Sequence, residues 1–363
     1  MSRSDFFLGI DLGSSSVKTC IYDIGSGKSI DSFTYPDSEM EIISEQDGWA
    51  EQDPNYWWEC ISHTFDHLRE KNDFQSIRAI GISYQMHGLV VVDKKYNPLH
   101  NAIIWCDSRA VETGQKAEIE IDNDIFKMKT LNTPGNFTAS KLKWLQDNKE
   151  DIYDKIHKIM LPGDFIVHKL TNKLTTTPMG LSEGIMWDFQ SQAVSEDILD
   201  YYNIKNTLIP HVVDSIGDQG TVSDDMVERF GFGKDIKVSY RAGDQPNNAF
   251  SLNVLEPGEI AATAGTSAVI YSVTDKNITD LNNRINTFLH CLNSNTSKRN
   301  GLLLCINGSG IAYSWIKSLL KEKSYKEMDI KSEKINSPEG IKFYPFGNGS
   351  ERLFGNKKID SHL

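Results

Sequence analysis

The stretch FFLGIDLGSSSVKTCIYD, Phe6 to Asp23, sets a carboxylate, a glycine and three serines between two apolar runs. Backbone N–H groups and hydroxyls at a Gly-Ser-Ser-Ser tip can cradle a phosphate, and Gly13 has no side chain to hold an anion away. Asp11 reads either as a hairpin-capping acid or as a carboxylate on the magnesium side of such a phosphate, since Mg²⁺ takes one or two carboxylates plus phosphate oxygens. Taken alone, a serine-rich tip is usually a solvated turn.

The same pattern recurs. In EIAATAGTSAVIYSVTD, from Glu259, Gly13 falls on Gly265, Ser14 on Thr266, Ser15 on Ser267, Val17 on Val269 and Asp23 on Asp275. Two such hairpins heading two halves are the mark of a duplicated α/β domain, each turn gripping a nucleotide's phosphates from one side of a shared cleft. The copies differ at the strand end, where Asp11 is matched by Thr263. Any Mg²⁺ is therefore expected on the Asp11 side, through water.

The elements that must carry these residues follow from periodicity and punctuation. Phe6 to Leu12 and Val17 to Tyr22 read as strands. A strand after the turn excludes a P-loop and a Rossmann turn, both of which lead into a helix. Asp53-Pro54 starts a helix running to about Lys71, with Trp57, Trp58, Ile61 and Phe65 near one face, read as core. A strand then ends near Tyr84, followed by the loop Gln85 to Gly88, a strand to Val92, a turn Asp93 to Pro98 and a strand Ala102 to Trp105, all expected to extend the hairpin into a mixed sheet. From about Glu112 to Leu208 the pattern is helical, broken at Pro134-Gly135, Pro162-Gly163 and Pro178. Phe137 to Asn148 reads as an amphipathic helix with Leu142 and Leu145 inward; Lys141 could reach the cleft, but a helix-face lysine is usually solvated. Trp144 and Trp187 read as core. KVSYRAGDQPNNAFSLNV runs from a strand through a Gly-Asp-Gln loop into a helix.

At 363 residues the chain is long for one core and two domains are expected, with 39% hydrophobic and 24% charged residues as in ordinary globular proteins. A net charge of −12 without a Lys/Arg run argues against nucleic-acid binding. Five scattered cysteines without a Cys-x-x-Cys read as reduced thiols. With no leader-like segment and no apolar run long enough for a bilayer, no membrane role is expected, and the expected compartment is the cytoplasm.

GIDLGSSSVK, EQDPNYWW, YQMHG, AIIWCDSRA, FTASKLKW, LPGDFIVHKLT, AGDQPNNA and AGTSAV occur in the order seen in the FGGY carbohydrate kinases, and from Phe6 to about Arg352 the chain resembles that family. The Gln-Met-His-Gly loop is most similar to that of its xylulokinases. The resemblance implies an α/β fold of two duplicated actin/hexokinase-like (ribonuclease H-like) domains flanking a cleft, residues 1–247 on the sugar and magnesium-phosphate side and 248–363 on the nucleotide side. It implies transfer of phosphate from ATP, with Mg²⁺, to D-xylulose, giving D-xylulose 5-phosphate. Asp244 matches the family's general base and Asp11 the acid near magnesium. Met86 and His87 match the sugar-contacting pair, with Gln85 and Gln245 hydrogen-bonding hydroxyls and Trp105 as an apolar wall. Gly13, Ser14, Ser15, Lys18, Gly265, Thr266 and Gly310 fall on the phosphate-binding side. Asp107 and Arg109 read as a salt bridge outside the catalytic set.

The sequence also departs from the family. Xylulokinases often have Asp-Asn where Asp244-Gln245 stands, and Asp-Gln is familiar from glycerol kinases, whose Asn-Gln-Arg-Glu loop is absent here. Family members continue past KFYPFGNGSERLFGNKKIDSHL, so a C-terminally truncated second domain is expected, with apolar faces uncovered and activity weak or absent. A kinase for ribulose, fuculose, gluconate or glycerol is the nearest alternative; a non-catalytic sugar or nucleotide sensor is another, and an actin-like or chaperone ATPase a third. Dimers are common in the family, though no residue here establishes a homodimer.

Overall fold

The computed structural model describes residues 5–121, 123–265, 268–294, 296–306 and 309–335, with 337, 340 and 342. Thr266 lies outside them. The first sheet comprises β1 (Phe6–Leu12), β2 (Val17–Asp23), β3 (Lys28–Tyr35), β4 (Ile77–Tyr84) and β5 (Lys237–Gly243), in the order β5-β4-β1-β2-β3. β1, β2 and β3 form an antiparallel meander, while β4 and β5 run parallel to β1. Alternation in β1 decides which way it faces: Leu8, Ile10 and Leu12 are buried, and Gly9 and Asp11 lie on the exposed side.

Helix α1 (Pro54–Arg69) packs against β2 and β3. Asp53 caps it, its carboxylate accepting from the Asn55 amide at 2.9 Å, a bond worth about 1 kcal/mol. Trp57, Ile61, Phe65 and Leu68 are fully buried beneath it, as their spacing requires.

The strands expected after Tyr84 do not join the main sheet. Val90–Val92 pairs with Lys158–Met160, and the strand expected over Ala102–Trp105 stops at Ile103 and pairs with Glu51–Gln52. The cause is local: the Gln85 amide makes a bond to Leu12 O at 2.8 Å, and His87, at φ 61°, then turns the chain out of the sheet. The 112–208 region also carries short strands at Lys158–Met160, Thr175–Thr176, Trp187–Asp188 and Ala193–Val194 between its helices. These helices include α2 (Thr138–Asn148), α3 (Pro162–Thr171) and α4 (Pro178–Glu183). No loop follows β5: Gly243 is the N-cap of α5 (Asp244–Ser251), and Asp244 its first residue.

The second sheet is antiparallel, β6 (Ile260–Ala264), β7 (Ala268–Thr274), β8 (Asn286–Leu289) and β9 (Asn300–Ile306), in the order β6-β7-β9-β8. β6 and β7 repeat the β1–β2 hairpin, but pairing closes at Ala264–Ala268, one residue tighter than the Leu12–Val17 closure. β1 is flanked by parallel β4, whereas its counterpart β6 is an edge strand among the described residues, with Ile260 62% exposed. The two halves share a core, in which Met86, Leu181, Ala249, Tyr271 and Phe288 belong to one buried cluster. Asn132 adds a polar tie, accepting from the Thr287 amide at 3.0 Å and donating to Thr287 O at 2.6 Å. Among the described residues no helix is long and apolar enough to cross a membrane.

Candidate active site at the carboxyl ends of three parallel strands

β1, β4 and β5 end in register, Leu12 beside Tyr84 and Tyr84 beside Gly243. In open α/β sheets ligands bind beyond the carboxyl ends of the strands, and here each end delivers part of the expected site. β1 brings Asp11, β4 leads into Gln85, Met86 and His87, and β5 hands over to Asp244 and Gln245.

Asp244 opens α5 with its carboxylate at the helix N-terminus, and Gln245 Nε2 donates to its Oδ2 at 3.3 Å. Burial pushes the Asp244 carboxyl up to about 6, and the Asp11 carboxylate adds to the shift, while the Gln245 backbone and side chain oppose it. A carboxylate in that range is poised to take a proton at neutral pH. Gly243, just before it, is a glycine by necessity: a Cβ there would collide with Met86 Cγ and sit 2.6 Å from Glu183 Oε2.

The Gln85 to Gly88 loop is tied on several sides. Gln85 is 2% exposed and its Nε2 donates to Gln52 Oε1 at 3.0 Å. The same oxygen accepts from Trp57 Nε1 at 3.0 Å, and Gln52 Nε2 donates to Ser14 O at 2.7 Å. One buried glutamine thus links the Gln85 to Gly88 loop, α1 and the first hairpin turn. His87 Nδ1 lies 2.9 Å from Glu183 O, and since a carbonyl only accepts, Nδ1 carries the proton of that bond. The His87 ring packs edge-on against Phe137 at 4.8 Å and tilted against Phe288 of the second half at 5.3 Å.

Lys141 is not solvated. It is fully buried, and its Nζ donates to His87 O and Ile104 O, both at 2.8 Å. Burial lowers its pKa to about 7, against the pull of Asp107 and Cys106. Beside it, Asp107 and Arg109 form the expected ion pair at 2.7 Å, extended to Glu51, with the guanidinium 3.9 Å from the Trp49 ring centre. Trp144 is partly buried over that same guanidinium, and Trp187 is core. Trp105 is 51% exposed.

The expected phosphate residues fall into two groups. In the first turn the Gly13 amide donates to Ser16 O at 3.1 Å and the Met40 amide to Ser15 O at 2.7 Å. Gly13 therefore makes the close turn rather than offering its own N–H, and the turn's remaining donor capacity is expected from Ser14, Ser15 and their hydroxyls. Lys18 stands opposite Asp11 across the ladder, on the same exposed face. In the second half Gly265 and Gly310 line one cavity of about 980 Å³ with Ala264, Tyr313 and Trp315. Gly310 lies in helix α6 (Ser309–Leu319).

Gln52, Glu183 and Phe288 escaped sequence reasoning, and Lys141, which could reach the cleft, is expected there to be solvated. Only Lys141 left a usable signal, because positions 138, 141, 142 and 145 form one helical stripe that includes two inward leucines.

Residues 6–251 match the model of the FGGY family of carbohydrate kinases, N-terminal domain. The chain belongs to the FGGY family. It is thereby a phosphotransferase with an alcohol group as acceptor, and its fold is the actin/hexokinase-like fold of sugar kinases. The FGGY chain is 27% identical over 347 residues to the xylulose kinase of Staphylococcus xylosus, covering 94% of this chain and 70% of that protein. It is 29% identical over 353 residues to the glycerol kinase of Thermococcus onnurineus, covering 94% and 68%. The solved structure of a ligand-bound xylulose kinase from Lactobacillus acidophilus superposes with a TM-score of 0.88 at 22% identity, covering 99% of this chain and 72% of that one.

Proposed function

We propose that this FGGY kinase transfers the γ-phosphoryl group of ATP to a hydroxyl of D-xylulose, giving D-xylulose 5-phosphate and ADP, with Asp244 as general base. The observation that carries the reading is the convergence of Asp11, His87 and Asp244 at three strand ends, with the Asp244 carboxyl near 6. The sugar oxygen attacks the γ-phosphorus, the bond to the β–γ bridging oxygen breaks, and the hydroxyl proton passes to Asp244. Such transfer depends on positioning and charge neutralisation, and general-base help is worth about 10²–10⁴-fold.

Met86 and His87 would hold the sugar, with Gln245 and Trp105 at its edges. Gln85 is engaged by Gln52, which favours a role in fixing the loop through its side chain. The turn at Gly13, Ser14 and Ser15, with Lys18, would take phosphate from one side. The cavity lined by Gly265 and Gly310 would take the nucleotide from the other, with residues 1–247 and 248–363 as the two functional halves. Asp11, exposed beside the turn, would hold Mg²⁺ through water, the ion offsetting charge on phosphate oxygens. Among the described residues no cluster of three or more His, Cys, Asp or Glu could hold a metal, which suits an ion bound largely by phosphate and water.

D-Xylulose is favoured over glycerol by the Gln85 to Gly88 loop and by the xylulose kinases among the relatives. Coupled ADP release with D-xylulose, D-ribulose, gluconate and glycerol tests the choice. The highest kcat/KM is expected with D-xylulose, and a higher value with glycerol would overturn it.

A further inference from the structure

His87 is held from three directions in a conformation it would not choose. At φ 61° it occupies the left-handed region, which side-chain-bearing residues adopt only at a cost. Its carbonyl accepts from Lys141 Nζ at 2.8 Å, its amide points at Glu183 Oε1 at 3.4 Å, and its ring Nδ1 donates to Glu183 O at 2.9 Å. We propose that Lys141 and Glu183 form a clamp on His87 that aims its ring into the cleft, so that both are positioning residues for sugar binding. The inference rests on the sugar-binding role given to His87 above.

The reach of Lys141 supports this. Its second bond, to Ile104 O at 2.8 Å, fastens the loop to the segment that leads into Trp105, so one ammonium sets the spacing of two chain segments that border the sugar. Neither carbonyl is near it in sequence. An apolar side chain of similar length would fill the same space while leaving two buried acceptors without this donor. Glu183 does the complementary work from α4. Its carboxyl lies between the His87 amide and Gly243, the residue before the proposed base. Burial raises the Glu183 pKa well above the usual carboxylate range, with Asp244 and Asp164 adding to the effect. The competing reading is that Lys141 and Glu183 only fill the core, in which case replacing them changes stability and not sugar recognition.

The experiment compares wild type, K141M, E183L and the control K143M, whose lysine pairs with Asp147 near the surface. Calorimetry reads D-xylulose affinity, hydrogen exchange reads the amides of residues 85–89, and steady-state kinetics separates KM for sugar from KM for ATP. In wild type the His87 amide is expected to be protected before sugar is added. In K141M and E183L sugar affinity should fall about tenfold or more, exchange at 85–89 should speed up, and KM for ATP should stay put, while K143M matches wild type. Unchanged sugar affinity in whichever of the two clamp variants folds would overturn the inference, as would an unprotected wild-type His87 amide even if neither folds. A wild type that binds no sugar of the panel would instead bring down the proposed function, and the inference with it.

Discussion

Asp11 on β1 and Asp244 just beyond β5 stand at strand ends with β4 between them, and the Asp11 carboxylate adds to the burial that raises the Asp244 pKa to about 6. One strand end thus tunes the proton affinity of another, which makes the proposed base sensitive to its neighbour and to pH.

The acid limb of kcat/KM is accordingly expected near pH 6. Replacing Asp11 by Asn should lower the Asp244 pKa only partway toward its ordinary value of 3.8, because burial is the larger cause. A carboxyl-carbon NMR titration reads this even if D11N has no turnover. An Asp244 pKa that is the same in both proteins would refute the coupling.

D244N should lose about 10²–10⁴-fold in kcat while keeping its sugar affinity. Stability should move the other way. A carboxyl whose native pKa is raised contributes stability that is full below its unfolded value and lost as pH rises through about 6. Above pH 6, D244N should therefore be more stable than wild type by up to about 3 kcal/mol, with the difference vanishing below pH 4. Urea denaturation at both pH values decides it, and equal stability at pH 8 would count against a buried, charge-crowded Asp244.

G243A is a test of close approach rather than of backbone strain. The added methyl meets Met86 Cγ and the Glu183 carboxyl, so Met86 must move. KM for sugar should rise about tenfold with KM for ATP unchanged. Wild-type sugar kinetics in G243A would mean that Met86 does not contact the sugar.

Q52L removes the side chain that joins Ser14 O, Trp57 Nε1 and Gln85 Nε2. Two buried polar groups and one part-buried carbonyl then lack this partner, and a loss of about 2–4 kcal/mol is expected in chemical denaturation. Because the lost bonds join the first hairpin turn to the sugar loop, affinities for nucleotide and for sugar should both weaken. A variant weakened for only one of them would show that the two turns are held independently.

Much of this site was legible before any coordinates. The hairpin at Phe6 to Asp23, the capped helix at Pro54 and the strand ending at Tyr84 all follow from alternation, Gly and Pro, which act over a few residues. The duplication placed Gly13 and Gly265 at equivalent turns, and the second hairpin does pair as the first does, one residue tighter. What failed was local reasoning about partners. A helix-face charge such as Lys141 is usually solvated, yet its acceptors are the carbonyls of residues 54 and 37 positions away. The composition of the strands at Val90 and Ala102 suits the main sheet, but the left-handed turn at His87 sends them to other partners.

The sequence by itself determined which residue types stand at which turns: the acid before Gly13, the Gln-Met-His-Gly after a strand, the acid at the head of α5. Those depend on short-range periodicity and on motifs in order. Only the tertiary structure decided that burial and Asp11 together raise the pKa of Asp244, that Phe288 from the second half packs on His87, and that Lys141 and Glu183 bond to the His87 backbone. Such relations arise where segments far apart in the chain are brought together and water is excluded, and there burial, rather than residue type, sets charge and orientation.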